Sequence, residues 1–255
     1  MTASTTTRPS SRVAVLQREP ALRLAATEYD RFGSLLATLG PQDWTRSTAC
    51  PEWDVRAVAG HVLGMAEMVA TVRSLVAQNV AAGRAGGGID ALTAVQVRRT
   101  ARLSPAELVE RFRAVAPRAV RGRRRLAGAL GRRTLPEDQV VDGATERWTI
   151  GFLLDVILTR DTWMHRVDLC AALGREPELT PEHDGLLVAD VVAEWAARHA
   201  QPYRLRLTGP AGGEWSSGDG DGGGPGALEL DAVEFCRLLS GRGSATGLLA
   251  QQVPF

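Results

Sequence analysis

The chain is organised around the stretch LTRDTWMHRVDL at residues 158–169, which lies late in a run with helical apolar spacing. Asp161 and His165 are four residues apart, and side chains at this spacing lie on one face of a helix, one turn apart. Leu158 and Leu169 share that face, so we expect it to point into a core. Burying two ionisable groups there is costly unless they are paired or hold a metal. A hydrogen-bonded core pair and a metal site are both open interpretations.

The composition is that of an ordinary globular protein with one large domain or two modest ones. The chain has 255 residues, of which 44% are hydrophobic and 23% charged. Its formal net charge of +1 gives no strong field to recruit nucleic acid or a membrane. All 30 basic residues are arginine, which excludes lysine Schiff-base chemistry and a phosphate-loop lysine. No run of about 18 apolar residues occurs, so we expect no membrane span.

The three cysteines, Cys50, Cys170 and Cys236, lie far apart and form no C-x-x-C motif. This pattern favours a reducing cytoplasm without a disulfide framework. The Ser/Thr-rich start of the sequence lacks the apolar segment of a signal peptide, which also favours the cytoplasm. We interpret Cys50 as a buried structural thiol and not as a nucleophile.

Apolar periodicity predicts five helices, of which the four longest suggest a four-helix bundle. Asp54 and Ser104 are typical N-caps, and Gly174 is a typical C-terminal stop. The predicted helices cover residues 19–39, 55–80, 105–130, 149–173 and 181–199. Val72 and Val76 extend the inner seam of the second helix, and the glycine-rich residues 81–90 are expected to form a mobile loop.

His61 lies at the edge of the apolar seam of the second helix, where a lone histidine is usually a hydrogen-bonded core residue. Gly60 and Gly64 flank it and leave room for another backbone or a ligand, at some cost in helix propensity. His183 and His199 lie at the two ends of the fifth helix and are expected on the surface.

Nine arginines fall between residues 111 and 133. A solvated helix face is the preferred interpretation, and an anion-binding wall for carboxylates is the alternative. Nucleic acid is a weaker option because no aromatic residues interleave the arginines.

The composition changes after residue 200. Residues 203–208 alternate apolar and polar side chains, as in a half-buried strand, and short strands are expected around 214–216 and 227–230. A short helix follows at 232–239, and the glycine-rich residues 218–224 are expected to form an exposed hairpin loop. We therefore divide the chain into a disordered tail at 1–14, a helical bundle at 15–200 and a small α+β domain at 201–255.

His61 on the second helix could join Asp161 and His165 on the fourth in one metal site. Two imidazoles and one carboxylate leave coordination positions open, which suits a catalytic zinc ion. The same ligands suit iron(II), and nickel(II) is not excluded, so the ligand types do not fix the metal.

Several segments together resemble the mycothiol-dependent maleylpyruvate isomerase family, which belongs to the DinB-like metalloprotein superfamily. They are TACPEWDVR at 48–56, GHV at 60–62, TRDTWMHRVDL at 159–169, GGEW at 212–215 and FCRLLSGR at 235–242. The resemblance implies a mainly α protein, with a DinB-like four-helix bundle followed by a small α+β C-terminal domain.

The resemblance also implies the residues of the site. It makes His61, Asp161 and His165 the metal triad, and it implies an essential arginine from the C-terminal domain. Arg242 is the better match for that arginine and Arg237 the second. The chain departs from the family at Asp161, because the characterised isomerase has glutamate there.

The implied chemistry uses mycothiol as the thiol cosubstrate. A metal-bound thiolate would attack an electrophilic, anionic small molecule, and either isomerisation or S-transfer could follow. A non-catalytic metal-binding or regulatory protein is the alternative, and either a monomer or a homodimer is compatible. Asp168 could orient the imidazole of His165 or form an exposed ion pair with Arg166 or Arg175.

Overall fold

A computed structural model describes residues 11–218 and 227–255 of the chain. The predicted fold class is confirmed, since the described chain is mainly helical with a small sheet towards its C-terminal end. The helices are α1 (Arg18–Leu36), α2 (Val55–Ala70), α3 (Val72–Arg84), α4 (Gly88–Thr100), α5 (Pro105–Leu130), α6 (Leu158–Leu173), α7 (Leu186–His199) and α8 (Ala232–Leu239). The strands are β1 (Gln139–Val141), β2 (Ala144–Glu146), β3 (Tyr203–Thr208), β4 (Gly213–Ser217) and β5 (Leu228–Asp231).

Helices α1, α2, α5 and α6 form the bundle and enclose one apolar core. Phe32, Val58 and Phe112 are among its fully buried members. No helix among the described residues is both long and apolar enough to cross a membrane.

The helix ends follow the local signals of the sequence. Asp54 caps α2 by accepting a hydrogen bond from the backbone N–H of Ala57 at 2.8 Å. Ser104 and Glu107 form a reciprocal capping box at the start of α5. Gly174 ends α6 in the left-handed conformation, with φ of 65°.

The predicted second helix, over residues 55–80, is interrupted at Thr71, so its single continuous helix is wrong although residues 72–80 are helical. Thr71 adopts extended dihedrals, with φ of −144° and ψ of 144°, and its side chain caps the separate helix α3. The break turns Val72 and Val76 outward, where they are 68% and 54% exposed. Apolar spacing continues across the break, which is why periodicity alone runs the two helices together.

The predicted mobile loop at 81–90 is also mostly helical. Helix α3 continues to Arg84 and α4 begins at Gly88, so only three residues connect them. Helix α4 lies against α2 at the two glycines beside His61. A Cβ added at Gly64 would lie 2.6 Å from the Gln96 side chain, and one at Gly60 would lie 2.3 Å from the Thr100 hydroxyl oxygen. The space predicted at these glycines is therefore filled by another helix.

A buried ion cluster ties α1 and α6 to the π-helical turn Pro181–Gly185 that precedes α7. Arg166 donates to Glu28 at 2.6 Å and to Asp184 at 2.8 Å. His183 lies 2.8 Å from Glu28 and is only 5% exposed, so the surface position predicted for His183 is wrong. Burial raises the pKa of Asp184, but hydrogen bonds from the Thr180 N–H and Trp163, together with the charge of Arg166, outweigh burial and hold that pKa below its usual range.

The predicted solvated arginine face of α5 is confirmed at all but one position. Eight of the nine arginines between 111 and 133 are exposed. Arg123 is fully buried and donates to the Thr159 hydroxyl at 2.5 Å.

The C-terminal sheet has the strand order β4-β3-β5, with β3 antiparallel to β4 and parallel to β5. Helix α7 shares a core with this sheet and α8 through Trp195 and Phe235. Arg160 of α6 binds Asp190 and Glu194 of α7, both at 2.6 Å, so α7 joins the bundle to the sheet.

Two predicted segments lie largely outside the described residues. Of the glycine-rich loop at 218–224, only Gly218 is described, and of the tail at 1–14, only residues 11–14 are. Arg12 donates its backbone N–H to the Arg147 carbonyl and accepts from the Thr149 N–H, so this part of the predicted tail is fixed to the bundle.

We predict opposite effects of alanine at two helical glycines. Gly64→Ala should lower the free energy of unfolding by about 1 to 3 kcal/mol, because its methyl group displaces Gln96. Gly128→Ala, on α5, is the control. A Cβ there meets no described atom within 4 Å, so Gly128→Ala should raise stability by about 0.5 to 1 kcal/mol. Urea unfolding measures both changes, and an equal effect of the two variants would contradict the packing of α4 on α2.

Candidate metal centre

The three predicted ligands meet where α2 faces α6. The Nε2 of His61 lies 3.4 Å from Oδ2 of Asp161, and the Nε2 of His165 lies 3.6 Å from its Oδ1. Zinc ligands at about 2.0 to 2.2 Å from a tetrahedral ion are about 3.3 to 3.6 Å apart, so these spacings suit such an ion. The three side chains can therefore offer ligand atoms to one centre.

Trp53, in the loop before α2, covers both imidazole rings. Its ring centroid is 5.1 Å from that of His61 and 6.1 Å from that of His165. His61 and His165 are 2% and 5% exposed. The side chain of Asp161 is 19% exposed and is the most accessible of the three.

The described residues contain three clusters of potential ligands, and only this triad lacks a bound arginine. The cluster of Glu28, His183 and Asp184 already holds Arg166. The cluster that combines Cys50 and Asp168 with His165 already holds Arg242. A guanidinium in place repels a further cation.

Two buried polar atoms of the triad have no hydrogen-bond partner among the described residues, Nδ1 of His61 and Oδ2 of Asp161, and the latter faces another ligand atom. Oδ2 of Asp161 is buried and has no hydrogen-bond partner among the described residues, although His61 is near. A buried carboxylate oxygen without a partner is costly unless a cation or donor satisfies it. The residues therefore fit a divalent metal ion.

Asp168 connects His165 to Arg242, which follows α8. Its Oδ2 lies 3.2 Å from Nδ1 of His165, on the side of the ring away from Asp161. Arg242 donates to the same carboxylate through Nε at 2.8 Å and Nη2 at 2.7 Å. Asp168 is fully buried, so the predicted exposed pair with Arg166 or Arg175 is wrong.

The carboxylates on either side of His165 favour positive charge at its ring. Burial lowers the pKa of His165, but the charge of Asp161 and the hydrogen bond to Asp168 outweigh burial and raise it to about 10. Burial also raises the pKa of Asp161, and the two histidines outweigh that effect and hold it below its usual range.

Cys50 lies beside this cluster and is half-buried. Its Sγ is 3.8 Å from Oδ2 of Asp168 and 4.0 Å from Nη2 of Arg242. The interpretation of Cys50 as a buried structural thiol does not predict this contact with Asp168 and Arg242.

The two candidate arginines occupy different environments. Arg242 is part of the Asp168 cluster, with a side chain that is 14% exposed. Arg237 pairs with Glu234 on its own helix at 3.4 Å, where both side chains are partly exposed. The structure thus brings Arg242 near the triad and leaves Arg237 in a surface pair.

A cavity of about 190 Å³ opens at the triad. His61 and Asp161 lie in its wall, as do residues of α3, α4 and the hairpin β1–β2. Leu153 and Ile157, from the π-helical segment that precedes α6, form another side. Sequence reasoning missed the hairpin, although Asp142–Gly143 is a typical hairpin turn and both residues have positive φ.

Comparison with known families gives one domain match. The model of the mycothiol maleylpyruvate isomerase N-terminal domain matches residues 25–170, which include all three residues of the triad. Two curated relatives, uncharacterized proteins from two strains of Mycobacterium tuberculosis, are each 28% identical over 234 residues. The matched region covers 84% of this chain and 82% of each relative.

Two solved structures share the fold. One is the mycothiol-dependent maleylpyruvate isomerase, with a TM-score of 0.54 and 17% sequence identity. The other is a histidine-to-alanine mutant of a mycothiol-dependent maleylpyruvate isomerase, with a TM-score of 0.55 and 15% identity. Each match covers 90% of this chain and 91% of the other.

Proposed function

The chain belongs to the mycothiol maleylpyruvate isomerase family, and from this premise we propose that it is a metal-dependent enzyme with mycothiol as its thiol cosubstrate. His61, Asp161 and His165 would hold the ion, for which zinc is the best candidate. The observation that carries the proposal is the unpartnered Asp161 oxygen beside two imidazoles at the wall of a cavity.

A bound divalent ion would supply the acidity that turns the thiol of mycothiol into a thiolate at neutral pH. The residues around it have separate tasks. Asp168 accepts a hydrogen bond from Nδ1 of His165, which fixes the ring with Nε2 facing Asp161. Trp53 covers the two rings and limits the approach of water from its side.

We assign Arg242 a positioning role through Asp168. Its two hydrogen bonds to that carboxylate hold Asp168 in place against His165. The expectation that Arg242 binds a substrate carboxylate stays a prediction. It would require the guanidinium to bind that carboxylate and Asp168 at the same time. Arg237 has its own partner in Glu234 and is the weaker candidate for either role.

Both reaction types remain within the proposal. In isomerisation the thiolate adds to a conjugated double bond, the adjacent bond rotates and the thiol leaves. In S-transfer the adduct stays. The cavity beside His61 and Asp161 favours an enzyme over a purely structural or regulatory metal site, because it gives a substrate access to two of the ligands.

We predict that metal and turnover depend on the triad together. The wild-type protein should bind about one zinc ion per chain and convert electrophiles in the presence of mycothiol. His61→Ala should lose most of the metal and at least 100-fold in kcat/KM, because two ligands leave the shell incomplete. His199→Ala is the control, since His199 is outside the triad. Elemental analysis and mass spectrometry of the products measure both properties, and undiminished metal in His61→Ala would contradict the assignment.

We also predict that Asp168→Asn weakens zinc binding by about 10- to 100-fold, because the neutral amide no longer holds the imidazole of His165 as a carboxylate does. Glu234→Gln, in the surface pair with Arg237, should leave the affinity unchanged. Competition with a chromophoric chelator measures both. Equal affinities of Asp168→Asn and the wild type would show that Asp168 has no part in the centre.

A further inference from the structure

The walls of the cavity beside the triad are mainly apolar. Met65 and Met68 of α2, Leu92 of α4, Trp148 and Ile157 are among the described residues that line it. Apolar walls favour ligands that bury apolar surface, and they make the transfer of an unpaired charge from water costly.

The charged side chains in the described wall are both acidic. They are Asp161 and Glu137, and no arginine is among the described lining residues although the chain has 30. Arg242 lies at Asp168, on the other side of the His165 ring, and is not part of the described wall. A substrate carboxylate in the cavity would therefore face two carboxylates without a side-chain counter-ion.

The triad adds little positive charge to offset this. A divalent ion carries two positive charges, and the carboxylate of Asp161 together with a thiolate would cancel them. A substrate carboxylate would then remain unneutralised within apolar walls, and its repulsion by Asp161 and Glu137 would be strong because little water screens it.

One residue of the wall, Gln96, has a side-chain oxygen without a hydrogen-bond partner among the described residues. Gln78 donates its amide N–H to the Gly64 carbonyl at 2.9 Å, and Gln96 donates to the Gln78 oxygen at 3.2 Å. These two bonds fix which end of each amide is the oxygen. Oε1 of Gln96 is left buried and without a partner among the described residues, and Gln96 lines the cavity. A ligand N–H or O–H would satisfy that acceptor.

We propose that the cavity takes a neutral, mainly apolar electrophile with an N–H or O–H donor, and that it disfavours carboxylates. The reactivity of the ligand rests on the proposed function. The preference of the cavity for neutral ligands over carboxylates does not depend on that function. In the reaction the mycothiol sulfur forms a bond to the electron-poor carbon of a conjugated double bond. The electron pair of that double bond shifts towards the conjugated carbonyl group, whose own π pair moves to its oxygen to give an enolate, and the proton lost by the thiol then returns to the adduct.

The test uses matched compounds that differ in one group. The unreactive set is 3-benzoylpropionic acid, its methyl ester and its primary amide, and the reactive set is the corresponding 3-benzoylacrylic compounds. Binding of the unreactive set to the zinc-loaded full chain, with mycothiol present, is measured by calorimetry and by the tryptophan fluorescence to which Trp148 contributes. We expect the amide to bind at least tenfold more tightly than the acid, with the ester between them. An acid that binds as tightly as the amide would overturn the proposal, as would failure of all three to bind.

A positive charge placed in the wall should reduce the preference of the cavity for the amide over the acid. Ile89 lines the cavity and is 50% exposed, so Ile89→Arg can add a cation without burying it. We expect Ile89→Arg to tighten binding of the acid at least fivefold. Val76→Arg, on the exposed face of α3 at 54% exposure and outside the described wall, should leave it unchanged. An equal response of the two variants would contradict the cavity as the binding site.

The reactive compounds separate this inference from the proposed function. Turnover of the amide with mycothiol, at least tenfold faster than that of the acid, supports both. Preferred turnover of the acid would overturn the substrate class and leave the mycothiol enzyme in place. Selective binding of the unreactive amide without turnover of any reactive compound would instead overturn the proposed function and leave the selectivity in place.

Discussion

The structure depends on the imidazole of His165, which lies between two carboxylates in the interior of the protein. Asp161 lies at its Nε2 side and Asp168 at its Nδ1 side. Acidic groups in an apolar interior are costly unless they are paired, so each must have a partner of opposite charge. Asp168 has the guanidinium of Arg242, whereas Asp161 faces only the imidazoles of His61 and His165, and its Oδ2 makes no hydrogen bond among the described residues. That asymmetry makes one side of the ring a fixed support and the other a site for a cation.

Helix α6 carries this arrangement because its charged residues are directed to different partners. Arg160 binds α7, and Arg166 binds Glu28 of α1. Asp168 reaches Arg242, which follows α8 in the C-terminal domain. The ion pairs of α6 thus connect the helix that carries two of the candidate metal ligands to α1, to α7 and to the segment after α8. A substitution that breaks one of these ion pairs can therefore change the geometry of the candidate metal centre without replacing a candidate ligand.

The sequence predicted what depends on local chemistry. Local sequence signals a few residues long specify the helix caps at Asp54 and Ser104. The same holds for the i, i+4 pair of Asp161 and His165 on α6, and the structure confirms all three features. The end of α2 at Thr71 is not predicted, because apolar spacing continues into α3. The packing of α4 on the glycines of α2 is a tertiary contact, so periodicity within α2 does not predict it. The contact of Arg242 with Asp168 joins residues 74 positions apart and has no local signature, although the resemblance placed that arginine near the site.

X-ray absorption at the zinc edge, on the zinc-loaded protein with and without mycothiol, tests the central claim most directly. The account predicts nitrogen and oxygen ligands at about 2.0 to 2.2 Å in the absence of thiol and one added sulfur at about 2.3 Å in its presence. A sulfur ligand before mycothiol is added would place the ion at Cys50. An unchanged spectrum after its addition would show that the thiol does not reach the metal.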